Sequence, residues 1–224
     1  MTAHDVTALD PLAGVERGRS LIDSGDATRR EQILDSAAEM FAEHGYHGAS
    51  LRNISRRAGL SHPGMLHHFA SKELLLDAVI DRMEALVQDA LNRVDEFCTD
   101  PDALQRGLTE MWDPASQAVQ LLATLDAEVV SKVHPGRFRM ARLRRVHEHV
   151  LERCFVTFDE RGLLREDIDP AFASRAMFAL VLSCAVREET VRTMQSGPHD
   201  DLPMKDLLKL VQAFLKPVAA REMS

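Results

Sequence analysis

The sequence predicts an all-α protein in which a small N-terminal helical domain precedes a larger one. Hydrophobic residues make up 45% of the 224 residues, with only 11 glycines and 9 prolines. The apolar residues are mostly Leu, Ala, Val and Met, a composition that favours helices. Apolar positions recur at helical spacing, and we find no convincing run of alternating β-branched residues. The chain is expected to divide into an arm, a first domain and a second domain at residues 1–27, 28–72 and 73–224.

The first strongly patterned helix is predicted to begin at Thr28. Thr28 and Glu31 fit the capping box, in which each side chain satisfies a free backbone N–H of the other residue. Apolar residues follow at helical spacing: Ile33, Leu34, Ala37, Met40 and Phe41. Gly45 is expected to end this helix. Residues 1–27 lack sustained periodicity, so we expect a flexible arm there.

Residues 50–75 predict two short helices joined by a tight turn, followed by the start of a third helix. Ser50 and Ser61 are N-cap candidates, and Pro63 falls in a first helical turn, where a missing N–H does no harm. Gly59 lies between the helices, where a left-handed conformation costs glycine little. The expected inward anchors of the second short helix are Met65, Leu66 and Phe69. A short polar helix after such a turn is typical of a DNA-reading helix-turn-helix.

The remainder of the chain is predicted to contain about six helices, separated by clear breaks. Three Asp-Pro pairs, at Asp100, Asp113 and Asp169, each place a capping residue before a proline that tolerates the first helical position. The other expected helices run from Ser71 to Phe97, from the break at 134–136 to Arg161 before Gly162, over 170–195, and over 203–216.

Residues 28–76 resemble the N-terminal domain of the tetracycline-repressor-like (TetR) family of bacterial transcription regulators. The matching motifs are Ala38-x-x-Phe41, Gly45-Tyr46-x-x-Ala49-Ser50, Ile54-Ser55-x-x-Ala58-Gly59-Leu60-Ser61 and His68-Phe69-x-Ser71-Lys72-Glu73-x-Leu75. The resemblance implies an N-terminal three-helix DNA-binding domain plus a C-terminal helical ligand-binding and dimerisation domain. The sequence departs from the family at two positions: the family usually has a tyrosine at the position of Leu66 and often a lysine or arginine at the position of His62.

The predicted DNA contacts lie in or beside the helix-turn-helix: Thr28, Arg29, Arg52, Ser61, His62, Gly64, His67, His68 and Lys72. His67 or His68 has the chemistry to donate to a phosphate or a guanine edge, and Lys72 to a phosphate. The alternative for either histidine is that it only caps or packs. For Arg56 and Arg57 a solvated face is an equal alternative.

Charge is distributed unevenly along the chain, whose formal net charge is −8. Residues 28–72 carry six Lys or Arg and four acids together with five of the ten histidines, whereas 73–224 carry 19 Lys or Arg and 26 acids. An acidic body behind a cationic head orients a protein on a polyanion but argues against wrapping DNA around the whole molecule.

The helix expected at 170–195 is apolar around nearly its whole circumference, which predicts burial on all sides. We expect a second copy of the chain to cover it, together with the last helix; in the family these positions form a four-helix bundle across a two-fold axis. The predicted interface residues are Met177, Leu180, Val181, Cys184, Leu207, Val211 and Phe214. The alternative is a core formed within one chain.

A ligand pocket is predicted where aromatic and Met side chains flank the helix breaks: Met111, Trp112, Phe138 and Met140. Core packing alone is the alternative for these four residues. Five arginines between 137 and 145 suggest an anion site, but their spacing spreads them around the helix and favours a solvated face. The expected effector is a small, largely apolar molecule.

Other functional classes find little support in the residues. Cys98, Cys154 and Cys184 are interpreted as buried reduced thiols, with redox sensing as the alternative, and no pair has zinc-site spacing. We predict no metal or cofactor, no secretory signal and no segment of membrane-spanning length, hence a cytoplasmic protein.

The resulting hypothesis is a homodimeric, ligand-responsive regulator, expected to be a repressor, whose partners are double-stranded operator DNA, a second copy and a small molecule. One alternative is an architectural DNA binder without sequence preference or effector. The other is an all-α enzyme using the histidine-rich segments, for which we see neither a nucleophile–base pair nor clustered metal ligands. We therefore predict a protein that is not an enzyme.

Overall fold

The computed structural model describes residues 13–192, 194 and 203–217. The prediction of an all-α fold is confirmed, since the described residues form helices and no strand. Ten α-helices follow one another in the described part of the chain: α1 (Ala13–Gly48), α2 (Leu51–Arg57), α3 (His62–His68), α4 (Lys72–Asn92), α5 (Val94–Phe97), α6 (Pro101–Met111), α7 (Gln117–Glu128), α8 (Arg137–Glu160), α9 (Pro170–Arg187) and α10 (Pro203–Phe214).

The N-terminal head consists of the C-terminal part of α1 together with α2 and α3. The caps of α2 and α3 follow the sequence prediction, whereas Thr28 lies inside α1 and does not cap it. Ser50 Oγ accepts from Asn53 N at 3.2 Å, and Ser61 Oγ accepts from Gly64 N at 3.1 Å. Gly59 has a φ of 67° between the two helices, as the turn requires. The head is closed by buried apolar side chains from all three helices: Ile33, Phe41, Ile54, Met65 and Phe69.

Several helix boundaries differ from the predictions. Helix α1 begins at Ala13, well before Thr28, while residues 1–12 of the predicted arm lie outside the described residues. The long helix expected up to Phe97 ends at Asn92 and is followed by the short α5. Asp113 does not begin a helix: its carboxylate accepts from Ala115 N at 3.0 Å within a turn. Ser116 caps α7 instead.

Helix α9 is the central helix of the C-terminal body, where it packs against α7, α8 and α10. It ends at Arg187 and continues as a π-helical turn over Glu188–Arg192; of the residues predicted to extend this helix, 193 and 195 lie outside the described residues. Contrary to expectation, Pro170–Val191 is long and apolar enough to cross a membrane by length and composition alone. Its packing identifies it as a core helix, since Met177, Phe178 and Val181 are fully buried by the protein itself.

Helix α4 begins directly after the head and extends along the body, where ion pairs join it to α8. Arg139 lies 2.5 Å from Asp81, 2.9 Å from Glu84 and 3.3 Å from Asp77. The predicted solvated arginine face of α8 is therefore largely paired with acidic residues of neighbouring helices. This pairing fixes α8 against the helix that leads to the head.

Candidate DNA-binding surface and internal cavity

Helix α3 presents a short, mostly uncharged surface to solvent. Met65 and Phe69 are buried beneath it, as predicted, but Leu66 is 37% exposed and does not pack inward. The exposed side chains Ser61 and His67 share this surface with Leu66. Sequence periodicity missed Leu66 because α3 spans only seven residues, too few to define a single apolar face.

The other predicted positions in α3, Gly64, His62 and His68, are less exposed than Leu66 and His67. A Cβ on Gly64 would lie 3.1 Å from Ser61 Oγ, so the glycine leaves room for the capping hydroxyl. His62 is half-buried, and its Nδ1 has no hydrogen-bond partner among the described residues. His68 is also half-buried, with its ring 5.8 Å from that of His67. The outward reading positions on α3 are thus Leu66 and His67.

Cations around α3 differ in how strongly the protein already engages them. Arg57 pairs with Glu43 at 2.9 Å, and Arg30 lies 5.0 Å from the centre of the Phe69 ring. Arg29 donates to the neutral side chain of Gln32. Arg52 is exposed on α2, and within the described parts of the chain no acidic side chain pairs with it. Arg52 is therefore the most available cation beside α3. Thr28 and Arg29 are exposed further along α1.

Lys72 has a structural role that the sequence prediction did not include. Its Nζ donates to the carbonyl oxygens of Tyr46 at 2.9 Å and Ala49 at 3.0 Å, and it lies 4.2 Å from the centre of the Tyr46 ring. These carbonyls close the end of α1, where intrahelical donors run out. Two of the three ammonium protons are therefore used inside the protein, which weakens the predicted phosphate contact.

The corner between α1 and α2 is also held by the body. Gly45 has a φ of 69°, and Glu128 at the end of α7 accepts a hydrogen bond from Tyr46 N at 2.7 Å. A Cβ on Gly45 would lie only 2.4 Å from a Glu128 carboxylate oxygen. The tyrosine hydroxyl donates to Glu73 at 3.0 Å, and burial together with this bond raises the pKa of Tyr46 to about 12. The sequence located the glycine but not its partner, which lies far along the chain.

A cavity of about 270 Å³ lies in the body between α4, α6, α7 and α8. Most of its lining is apolar, and its residues are Met83, Leu86, Val87, Asp89, Arg93, Glu110, Met111, Ser116, Ala118, Val119, Leu122 and His147. Of the four predicted pocket residues, Met111 lines this cavity. Trp112 does not line it but is hydrogen-bonded to the lining residue His147. Phe138 is 83% exposed and Met140 is fully buried elsewhere in the core. The prediction is therefore wrong for Phe138 and Met140 as lining of this cavity.

The buried polar group of the cavity is His147. Trp112 Nε1 donates to His147 Nδ1 at 3.1 Å, and the imidazole stacks on Phe178 with ring centres 5.0 Å apart. Because an indole N–H is only a donor, Nδ1 must be unprotonated and the neutral ring carries its proton on Nε2. Burial lowers the pKa of His147 to about 4, so the ring is neutral at pH 7. No sequence pattern indicated this pair, because Trp112 follows the end of α6 and His147 lies on α8.

Charged side chains at the rim of the cavity neutralise its only lining cation. Arg93 lies 2.7 Å from Glu110 and 3.6 Å from Asp89, both of which also line the cavity. A third carboxylate, Glu96, lies 3.2 Å from the same guanidinium. The three charged lining residues therefore carry a net charge of −1.

The predicted dimer residues are mostly buried within one chain. Met177, Val181, Cys184, Leu207, Val211 and Phe214 are covered by the protein itself, and only Leu180 is partly exposed. The predicted interface is therefore wrong in these six residues. An uncovered stripe runs along α9 at alternating spacings of four and three residues: Phe172, Ala176, Ala179, Ser183 and Val186. Phe172 and Val186 are 52% and 45% exposed.

Among the residues that the structure describes, no group of three His, Cys, Asp or Glu side chains is arranged to hold a metal ion. Cys98, Cys154 and Cys184 are free and buried, as predicted. Contact with Cys98, followed by burial, raises the pKa of Cys154.

A compact three-helix head with an exposed α3 defines a helix-turn-helix protein. The model of the family described as bacterial regulatory proteins, tetR family, matches residues 33–79. The transcriptional activator FasR of Mycolicibacterium smegmatis is 42% identical over 72 residues, which cover 32% of each chain. The match thus spans about a third of that relative's length. Residues 33–79 are therefore similar to the N-terminal domain of TetR-family regulators.

Solved structures resemble the whole fold rather than the head alone. Reduced NemR of Escherichia coli has a TM-score of 0.66 and 20% identity, over 85% of this chain and 99% of its own. AibR, solved with isovaleryl coenzyme A and operator DNA, has a TM-score of 0.62 and 20% identity, over 84% of this chain and 99% of its own. At this level of identity, the likeness establishes a common arrangement of head and body.

Proposed function

We propose that this protein is a ligand-responsive transcriptional regulator, a cytoplasmic homodimer that represses by binding operator DNA and is released by a small molecule. The observation that carries the proposal is the outward face of α3, where Leu66 and His67 stand clear of the packed head. A helix of this kind reads base edges in the major groove. The family match over the same residues supports this role.

The proposed reading and positioning roles fall on different side chains. His67 has a ring N–H for a phosphate or guanine edge, and Leu66 offers an apolar surface for a thymine methyl group. Arg52 is proposed to contact a phosphate, because it is exposed and close in sequence to the capped N-terminus of α2. Ser61 is exposed at the start of α3, and its hydroxyl already accepts from Gly64 N, so the backbone N–H groups left free in this first turn are further candidate phosphate donors.

Dimerisation is proposed to occur through the uncovered stripe of α9. Small side chains at Ala176, Ala179 and Ser183 allow two helices to approach closely, while Phe172 and Val186 supply apolar area at the two ends. A two-fold axis there would present two copies of α3 to a pseudo-palindromic operator. Successive major grooves lie about 34 Å apart, so the spacing of the two heads determines the fit.

The ligand response is proposed to begin in the cavity, because two of its walls are also supports of the head. Helix α4 supplies Met83 and Val87 to the cavity and begins at Lys72, which caps α1. Helix α7 supplies Val119 to the cavity and ends at Glu128. A ligand that separates these helices would reorient the head. The neighbour AibR, solved with both a ligand and operator DNA, supports this arrangement.

The decisive experiment is selection of binding sites from random duplex DNA with the full chain. We expect a pseudo-palindromic consensus whose half-sites are about one helical turn apart. His67→Ala should then relax preference at one base pair by about 1–3 kcal/mol. Arg52→Ala should weaken all sequences alike and reduce the salt slope by about one unit. Recovery of no consensus, with equal binding to all duplexes, would favour an architectural DNA binder instead.

A further inference from the structure

We propose that the body cavity binds a neutral, largely apolar molecule whose hydrogen-bond acceptor is held by His147 Nε2–H. This inference rests on the proposed function, because it names the class of effector for the same cavity. Its geometric basis is the Trp112–His147 bond of 3.1 Å, which leaves the other ring nitrogen as the donor. No other described residue forms a hydrogen bond with this imidazole.

The fixed tautomer determines which polar group the ligand must bring. Trp112 occupies the acceptor nitrogen of His147, so the polar group that this lining residue can still offer a ligand is an N–H and not a lone pair. A ketone, ester, lactone or ether oxygen satisfies that donor. A pure hydrocarbon would bury it unpaired, which costs free energy. Stacking on Phe178 holds the imidazole in place and leaves the ring little freedom to turn away.

The charges around the cavity exclude an anionic ligand. Asp89 and Glu110 outnumber Arg93 in the lining, and the guanidinium is already paired with both. The arginines of α8 provide no alternative. Arg139 and Arg144 are engaged by acidic side chains of α4 and α7, and neither of them lines the cavity. A carboxylate or phosphate entering here would meet a net negative rim and a neutral imidazole.

Trp112 provides a built-in probe, because it is the only tryptophan in the chain. Its indole N–H gives a single resonance, and this N–H is bonded to the imidazole that the ligand is proposed to contact. Three small molecules with the same ring separate the possible ligand classes: methyl cyclohexanecarboxylate, cyclohexanecarboxylate and ethylcyclohexane. They supply a neutral acceptor, an anion and a hydrocarbon respectively.

The test titrates each compound into the full-length protein and follows the Trp112 indole and His147 Nε2–H resonances. The ester is expected to shift the Nε2–H signal downfield, and the anion is expected to bind more weakly than the ester. The ratio of ester to hydrocarbon affinity should fall by about 2- to 10-fold in His147→Phe, the range set by one hydrogen bond. His147→Gln retains a donor and an acceptor and should keep the preference. His149→Phe, an exposed change on the same helix, is the matched control.

Three results would overturn the ligand assignment: tightest binding by the anion, an Nε2–H signal unaffected by bound ester, or binding of none of the compounds at their solubility limits. The Nε2–H measurement uses the wild-type protein and so does not depend on the folding of His147→Phe. Titration of a selected operator duplex tests the regulatory role separately. Ester binding through His147 that leaves operator affinity unchanged would support the ligand class and refute the effector role.

Discussion

Replacing His147 with glutamine should remove a large part of the loss of stability on acidification. The folded protein holds this imidazole at a pKa of about 4 through burial, whereas a free histidine titrates near pH ~6.5. As the pH falls below ~6.5, the unfolded chain takes up a proton that the folded chain refuses, so acid favours unfolding. Each pH unit is worth about 1.4 kcal/mol over a window of about 2.5 units, and because the folded imidazole is itself half-protonated at pH ~4, the stability lost between pH ~6.5 and ~4 is about 3 kcal/mol.

The assay is urea unfolding at fixed protein concentration between pH 7 and pH 4, followed by circular dichroism. Glutamine retains an oxygen that accepts from Trp112 but has no proton to gain. The stability difference between wild type and His147→Gln should therefore shift in favour of the variant by about 3 kcal/mol on acidification. His134, whose pKa is also lowered by burial, is present in both proteins, so its contribution to the pH dependence of stability cancels in the difference. Parallel pH profiles for the two proteins would refute the assigned protonation state, and the exposed His149→Gln should follow wild type.

Three further predictions test contacts in the head and the α9 surface. Lys72→Met should lower the free energy of unfolding by about 1–3 kcal/mol, because two carbonyls lose their donor; an unchanged stability with a reduced salt slope of DNA binding would restore the phosphate role. Glu128→Ala should accelerate hydrogen exchange at Tyr46 N–H, detectable by NMR, and unaltered protection would contradict the 2.7 Å bond. Ala179→Glu places a charge on the exposed stripe of α9 and should give a folded monomer in sedimentation, whereas Val181→Glu places a charge in the core and should unfold the body. If Ala179→Glu remains a dimer, the stripe is not the dimer interface.

The head was predicted well because its signals are local. The caps at Ser50 and Ser61 and the left-handed Gly59 act within a few residues of their own positions, so the sequence contains both partners of each interaction. The same locality explains the failure at Asp113. An Asp-Pro pair caps a helix or closes a turn equally well, and here a better cap follows three residues later at Ser116.

Roles that depend on tertiary contacts were the ones that sequence reasoning missed. Lys72 was expected to face DNA, but the carbonyls of Tyr46 and Ala49, far away in sequence, engage it. Helix α9 was expected to be buried on all sides with a partner subunit as its cover, with a core formed within one chain as the alternative, and α7, α8 and α10 of the same chain cover most of it. Apolar content predicts how much of a helix is buried but not which neighbour buries it.

The junction between head and body converges on a single peptide segment. Glu128 of α7 binds the backbone N–H of Tyr46, and Lys72 of α4 binds its carbonyl oxygen. Both helices also line the body cavity. A change in their separation therefore acts on opposite sides of one residue, at the corner where Gly45 turns the chain from α1 towards α2. Because the left-handed glycine fixes the direction of that turn, the proposed ligand response predicts that a small displacement there rotates α3 instead of being absorbed by a flexible linker.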